Sequence, residues 1–217
     1  MMQFDKISVF GLGYIGLPTA AVLASSRREV IGVDINQNVV DTVNSGNVHI
    51  IEPDLDAMVK NVVDTKFLRA SISPEPANAF LICVPTPFKK EYTPDLSFIE
   101  SAANAIAPVL KKSNLIILES TSPVGATEQL SEWLANARPD LIFPKNGSTA
   151  TDIHIAYCPE RILPGQMLRE LVENDRVIGG LTAACSEAAK ELYGLFVEGN
   201  CITTNARTAE MCKLVEN

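Results

Sequence analysis

Short apolar runs alternate with longer amphipathic stretches along almost the whole chain. Lys6-Ile7-Ser8-Val9-Phe10 has the apolar density of a strand, and a helical pattern follows from about Ile15 to Ser25. Glu29–Val33 reads as the second strand and Asn36–Ser45 as the second helix. The same patterning predicts strands at Phe80–Val84, Leu115–Glu119, Ile153–Tyr157, Val177–Gly179 and Cys201–Thr203, with helices over about 54–64, 96–111, 125–137 and 183–195. Strands that alternate with helices in this way specify an α/β fold, a doubly wound and mainly parallel sheet with helices on both faces. Strand twist then makes the crossovers right-handed. Arg138–Asp152, with two prolines, a glycine and several small polar residues, reads as a loop within the domain.

The length of 217 residues fits one large domain or two small ones and suffices for a core without staples. Hydrophobic residues at 47% and charged residues at 20% are ordinary globular values. Acidic residues outnumber basic ones by 26 to 18, and no Lys/Arg run exceeds two. Such a surface repels phosphate backbones, so no nucleic-acid partner is expected. No apolar stretch approaches the roughly 18 residues of a membrane span, and Met1 leads straight into a charged strand pattern. The expectation is a cytoplasmic protein without membrane attachment. Five cysteines, with no CxxC pair and two histidines in the whole chain, make poor material for a zinc site or a disulfide framework. They read as reduced thiols packed as small hydrophobes.

Gly11-Leu12-Gly13-Tyr14-Ile15-Gly16 follows the first strand directly and opens the first helix. A GxGxxG hexapeptide is common by chance, so its context carries its meaning. Gly11 permits a tight turn, Gly13 lets a pyrophosphate approach the backbone, and Gly16 lets helix and strand pack closely. Tyr14 and Ile15 lie at the helix N-terminus, where free N–H groups and the positive dipole end favour an anion. The second strand ends in Val33-Asp34, where a carboxylate accepts bonds from the adenosine ribose and repels a 2′-phosphate. These features point to a Rossmann-type site for NAD rather than NADP. Val84-Pro85-Thr86 and Thr121 with its neighbours follow two later strands, at the carboxyl ends where ligands of such sheets lie. Taken alone, these loops read equally well as plain turns.

With these pieces assembled the sequence resembles the UDP-sugar 6-dehydrogenase family, which oxidises nucleotide sugars to uronic acids. The matching segments are Gly11–Gly16, Gly46 through Ile51-Glu52-Pro53-Asp54-Leu55, Val84–Pro87, Ser120–Gly125, Cys158-Pro159-Glu160-Arg161, and Ala209–Lys213 with Asn217. They run in family order over the whole chain. The glucose branch of that family usually follows its Pro-Glu pair with Phe-Leu-Arg-Glu, whereas here Arg161-Ile162-Leu163-Pro164-Gly165 follows. That looks like the branch acting on N-acetylated hexosamines, UDP-N-acetylmannosamine above all and UDP-N-acetylglucosamine next. Pro164 stands where the glucose branch carries a second carboxylate, so that residue's role does not carry over.

The resemblance implies a double oxidation of the sugar C6 alcohol by two NAD molecules in turn, through a thioester on a cysteine. It gives Lys213 the role of stabilising the oxyanion at C6, with Asn217 as a second donor to the same oxygen. Glu160 would orient or deprotonate the hydrolytic water, and Thr121 would hold a water near the reacting hydroxyl. The partner it implies is a UDP-sugar substrate, and the assembly a homodimer. The family's catalytic cysteine lies in a second domain, beyond a connecting helix, and none of the five cysteines here takes its place. The chain therefore reads as a Rossmann-type domain over 1–205 and the start of a connecting helix over 206–217, with the UDP-binding domain absent. A stand-alone nucleotide-binding module without catalysis is the other reading. A β-hydroxyacid dehydrogenase shares the fold and a helix lysine but explains neither the Val84–Pro87 loop nor Pro159-Glu160-Arg161.

Overall fold

The computed structural model describes residues 2–90, 93–145, 150–163 and 165–217. The elements run β1 (Lys6–Phe10), α1 (Gly16–Ser25), β2 (Glu29–Val33), α2 (Gln37–Asn44), α3 (Leu55–Asp64), β3 (Leu68–Ser71), β4 (Ala79–Ile82) and α4 (Ser97–Ile106). After these come β5 (Leu115–Leu118), α5 (Ala126–Ala137), β6 (His154–Tyr157), α6 (Met167–Glu173), β7 (Arg176–Gly180), α7 (Ala183–Tyr193), β8 (Cys201–Asn205) and α8 (Ala206–Glu216). The strands form one sheet in the order β3-β2-β1-β4-β5-β6-β7-β8. The first six are parallel and follow the doubly wound order in which the chain reverses direction between β1 and β4.

Alternation along each strand explains the two layers. Ile7, Val9, Val30, Leu81, Leu115 and Ile117 join the cluster that receives α1, α2, α3, α6 and α7. Phe10, Ile31, Phe80, Ile82, Ile116 and Leu118 face the other cluster, with α4, α5 and α8. Strands covered on both faces need continuous apolar runs, and Leu115–Leu118 is one, buried at every position.

Three features depart from the sequence pattern. β3 is a short edge strand whose exposed Arg69 interrupts the apolar run, and an ion-pair cluster of Lys6, Glu29, Arg69 and Glu75 ties it in. α6 has no local capping residue; the Glu52 carboxylate, 115 positions before Met167, accepts from the Met167 N–H at 2.8 Å and from that of Gly165 at 2.9 Å. β7 runs antiparallel to β6, and β8 follows β7 in parallel. Pro164 and the 146–149 portion of the expected loop lie outside the described residues. Among the described residues, no helix is long and apolar enough to cross a membrane. The five thiols are free, Cys158 and Cys185 buried and Cys212 exposed.

Candidate functional site

The carboxyl ends of β1, β2, β4, β5 and β6 open onto one cleft of about 820 Å³. Its lining brings together Gly11, Gly13, Tyr14, Ile15, Asp34, Val84, Pro85, Thr86, Thr121, Glu160 and Lys213. Two residues expected at the site stand off it. Gly16 packs behind the turn, and Asn217 ends the exposed last turn of α8, its N–H donating to the Lys213 carbonyl at 3.1 Å.

The glycine turn is built by exclusion on one side and room on the other. Gly11 has φ +86°, and a Cβ there would stand 2.8 Å from the Cys83 carbonyl oxygen. A Cβ on Gly16 would overlap the carbonyl oxygen of Gly11. At Gly13, by contrast, a Cβ would meet no protein atom within 4 Å, so it would fill only the cleft. Ile15 at the N-cap of α1 has no side-chain acceptor for the first-turn amides. Backbone N–H groups beside open space at a helix N-terminus are what a dinucleotide diphosphate requires. Asp34 braces the same turn: one carboxylate oxygen accepts from Leu12 N–H at 2.8 Å and the other from Asn36 N–H at 2.9 Å. Each oxygen keeps a lone pair for a ribose hydroxyl.

The loops after β4 and β5 brace each other. The Ser120 hydroxyl donates to the Val84 carbonyl at 2.7 Å, and the Thr86 hydroxyl donates to the Thr121 carbonyl at 2.6 Å. Thr86 thus spends its proton within the protein and keeps acceptor capacity, while the exposed Thr121 faces the cleft.

The inner wall is polar and dry. Cys83, Glu119 and Cys158 each follow the last residue of β4, β5 and β6, whose ends stand in register. The Glu119 carboxyl is 3% exposed and takes the Tyr193 hydroxyl at 2.5 Å and the Cys83 thiol at 3.1 Å. Glu160, also buried, binds Arg176 Nη1 at 2.6 Å and the Arg161 N–H at 2.6 Å. The Arg176 guanidinium lies 5.4 Å from the centre of the Tyr193 ring, in cation–π range. Burial, and then the Glu160 charge, raises the Glu119 carboxyl above the usual range. Burial pushes the Cys158 thiol up to about 12 and moves Cys83 and Tyr193 well above their ordinary values. Burial works against the Arg176 charge, but Glu160 and the surrounding acids outweigh it and hold the guanidinium protonated.

Lys213 reaches the cleft because α8 is anchored at several points. Buried Glu210 accepts from the Gly125 N–H at 2.6 Å, the Thr127 N–H at 2.8 Å and the Thr127 hydroxyl at 2.6 Å, capping α5 from another helix. Asn205 caps α8 itself, and Arg161 pairs with Glu216 at 2.7 Å. Lys213 also lines a second groove of about 800 Å³ between α8 and the loop after β6.

Sequence reasoning placed Glu119 at the ligand-bearing end of a strand without giving it a role, and missed Arg176 and Tyr193 as parts of the site and Glu52 and Glu210 as its anchors. Glu119 does carry a sequence mark, a carboxylate closing a fully apolar strand. Glu52 and Glu210 lie inside segments that already stood out, without any local pattern to show what they cap.

Residues 5–197 match the model of the UDP-glucose/GDP-mannose dehydrogenase family, NAD binding domain. The chain is 67% identical, over its whole length, to the NDP-N-acetyl-D-galactosaminuronic acid dehydrogenase of Ralstonia nicotianae, covering 51% of that protein. It is 62% identical to the UDP-N-acetyl-D-mannosamine dehydrogenase of Yersinia pestis, again covering all of this chain and 51% of that protein. The solved UDP-D-ManNAc dehydrogenase of Pyrococcus horikoshii superposes with a TM-score of 0.91 at 42% identity, over 97% of this chain and 49% of that one. The chain thus spans about half the length of the curated relatives it matches.

Proposed function

This chain belongs to the UDP-glucose/GDP-mannose dehydrogenase family, as its NAD-binding domain, and from that premise we propose that it forms the cofactor half of an NAD-dependent nucleotide-sugar 6-dehydrogenase. The substrate is a UDP-N-acetylhexosamine, UDP-N-acetyl-D-mannosamine first, oxidised twice at C6 to the uronate. The observation that carries the reading is that a single cleft joins the glycine turn and Asp34 to Glu160, Thr121 and Lys213. Residues 1–205 act as the cofactor domain and 206–217 as the start of a connecting helix. The working enzyme is a cytoplasmic homodimer.

NAD supplies the hydride acceptor. The Gly11–Gly16 turn and the N-terminus of α1 hold its diphosphate, Asp34 its adenosine ribose, and Val84, Pro85 and Thr86 wall the next portion of the cleft. Lys213 offers a cationic donor to the oxygen at C6 as negative charge develops there, whereas Asn217 lies off the cleft lining. Thr121 holds a water beside the hydroxyl that loses its proton. Glu160 has one bond fixed on each oxygen, so its free lone pairs orient the hydrolytic water in a set direction.

Alone, the 217-residue chain binds NAD and does not turn over sugar, because alignment of the alcohol with the nicotinamide within about 3–3.5 Å needs groups that hold the UDP end. Calorimetry with NAD and NADP, and NADH absorbance with UDP-sugars, test both halves of the reading. Tight NAD binding without turnover is expected of this chain, and two NADH per sugar from a chain of its relatives' full length. Two NADH per sugar from the 217 residues alone would overturn the division of labour. The 67% identity to the Ralstonia protein supports a second reading, a galacto-configured substrate, so UDP-N-acetylgalactosamine belongs in the assay.

A further inference from the structure

Behind the inner wall of the cleft one buried cation pairs with one of two buried carboxyl groups and not directly with the other. Arg176 is 1% exposed and commits Nη1 to Glu160 at 2.6 Å and Nη2 to the Leu171 carbonyl at 3.0 Å. The reversed strand delivers it: β7 pairs Gly179 with Tyr157, so Arg176, three residues before Gly179, stands opposite Glu160, three residues after Tyr157. Among the described residues, the side-chain donors to Glu119 are neutral, the Tyr193 hydroxyl at 2.5 Å and the Cys83 thiol at 3.1 Å. The charged and titratable groups around it are Cys83 after β4, Cys158 and Glu160 after β6, Arg176 on β7, Tyr193 on α7, and Lys213 from α8 in the same cleft. A buried carboxyl without a directly paired cation is pushed toward its protonated form. Burial and the Glu160 charge push Glu119 in that direction.

Glu119 also lines the cleft on the side of the glycine turn opposite Asp34. A dinucleotide with its diphosphate on the glycine turn and its adenosine ribose at Asp34, beyond β2, would extend the other way across β4 and β5, toward the wall that includes Cys83 and Glu119. Its nicotinamide is cationic when oxidised and neutral when reduced. We propose that Glu119 is the residue by which the cleft distinguishes oxidised from reduced cofactor. The carboxyl holds its proton in the free protein and beside reduced cofactor, and releases it to solvent when the cationic ring binds. The resulting carboxylate favours NAD+ over NADH, increasingly so as pH rises. The inference rests on the NAD reading above.

The test is calorimetric titration of this chain with NAD+, NADH and ADP-ribose between pH 6 and 8, each in two buffers of different ionisation heat. Release of up to one proton is expected with NAD+ and none with NADH or ADP-ribose. The NAD+/NADH affinity ratio should climb with pH by at most about tenfold per unit, the limit for one linked proton. Glu119→Gln should abolish the release and flatten the ratio. Tyr193→Phe keeps the ring under Arg176 but removes a donor to the carboxylate, so it should move the release to higher pH. Binding of NAD+ with buffer-independent heat, or release that persists in Glu119→Gln, would overturn the inference alone. Failure of both NAD+ and ADP-ribose to bind would overturn the NAD reading and the inference with it.

Discussion

Gly13 and Gly16 stand three residues apart in one turn and are glycine for opposite reasons. Gly16 has no space because its helix lies against the Gly11 carbonyl, whereas Gly13 has space that belongs to the cleft. Gly16→Ala should therefore cost about 1–3 kcal/mol of folding stability, the range for overpacking. Gly13→Ala should leave the melting temperature nearly unchanged and weaken NAD by about 1.4 kcal/mol, or tenfold. Thermal melts and calorimetry on the two variants separate the effects. Asp34 combines both roles, since its carboxylate braces the turn through the Leu12 N–H and lines the cleft. Asp34→Ala should weaken NAD by roughly 1–3 kcal/mol, the cost of leaving polar groups without partners. The same titration with NADP should show the preference narrowing.

At the scale of elements, the site depends on carboxylates that cap helices from a distance. Glu210 sits on α8 but satisfies the first amides of α5, where the helix dipole also favours its charge. That residue is one of the anchors that set the direction in which α8 carries Lys213. Glu210→Gln keeps the shape but removes the charge and leaves one acceptor oxygen for three donors. Charge-assisted bonds of this kind contribute about 1.5–3 kcal/mol each, so a loss of about that size is expected overall. Hydrogen exchange should show faster opening at the start of α5 and along α8, with β1–β6 unaffected. Equal protection of α8 in the variant would mean that packing on β7, rather than the cap, holds it.

For the whole molecule, stability against pH is set from two directions. Glu119 has a folded pKa raised by burial and then by Glu160, so its contribution is fully present below the unfolded value of about 4.3 and declines as pH rises through the folded value. Glu75 is held down to about 2 by its bonds to Arg69 and Lys6, so its contribution is present above the unfolded value and disappears as pH falls toward 2. Urea midpoints across a pH series should fall less steeply on the alkaline side in Glu119→Gln and less steeply on the acid side in Glu75→Gln. Cys158, pushed up to about 12, together with the raised Cys83 and Tyr193, adds to alkaline instability, because burial disfavours their charged forms.

The amino-acid sequence by itself determined the strand–turn–helix unit of the glycine turn, the carboxylate at the end of β2, and the alternating pattern that makes a sheet with two covered faces. Those features depend on neighbours a few residues apart: a backbone angle at Gly11, the period of apolar positions, the spacing from Gly16 to Asp34. It left β3 unmarked because an edge strand with Arg69 at its centre lacks the apolar run of the others, and α6 unmarked because its cap comes from Glu52. Only the tertiary structure decided that β7 turns back along β6, and that reversal places Arg176 against Glu160 and leaves Glu119 to a thiol and a phenol. Charge pairing, burial and proton affinity depend on separations of a few ångströms between residues 16 to 115 positions apart, and folding alone brings such residues within that range.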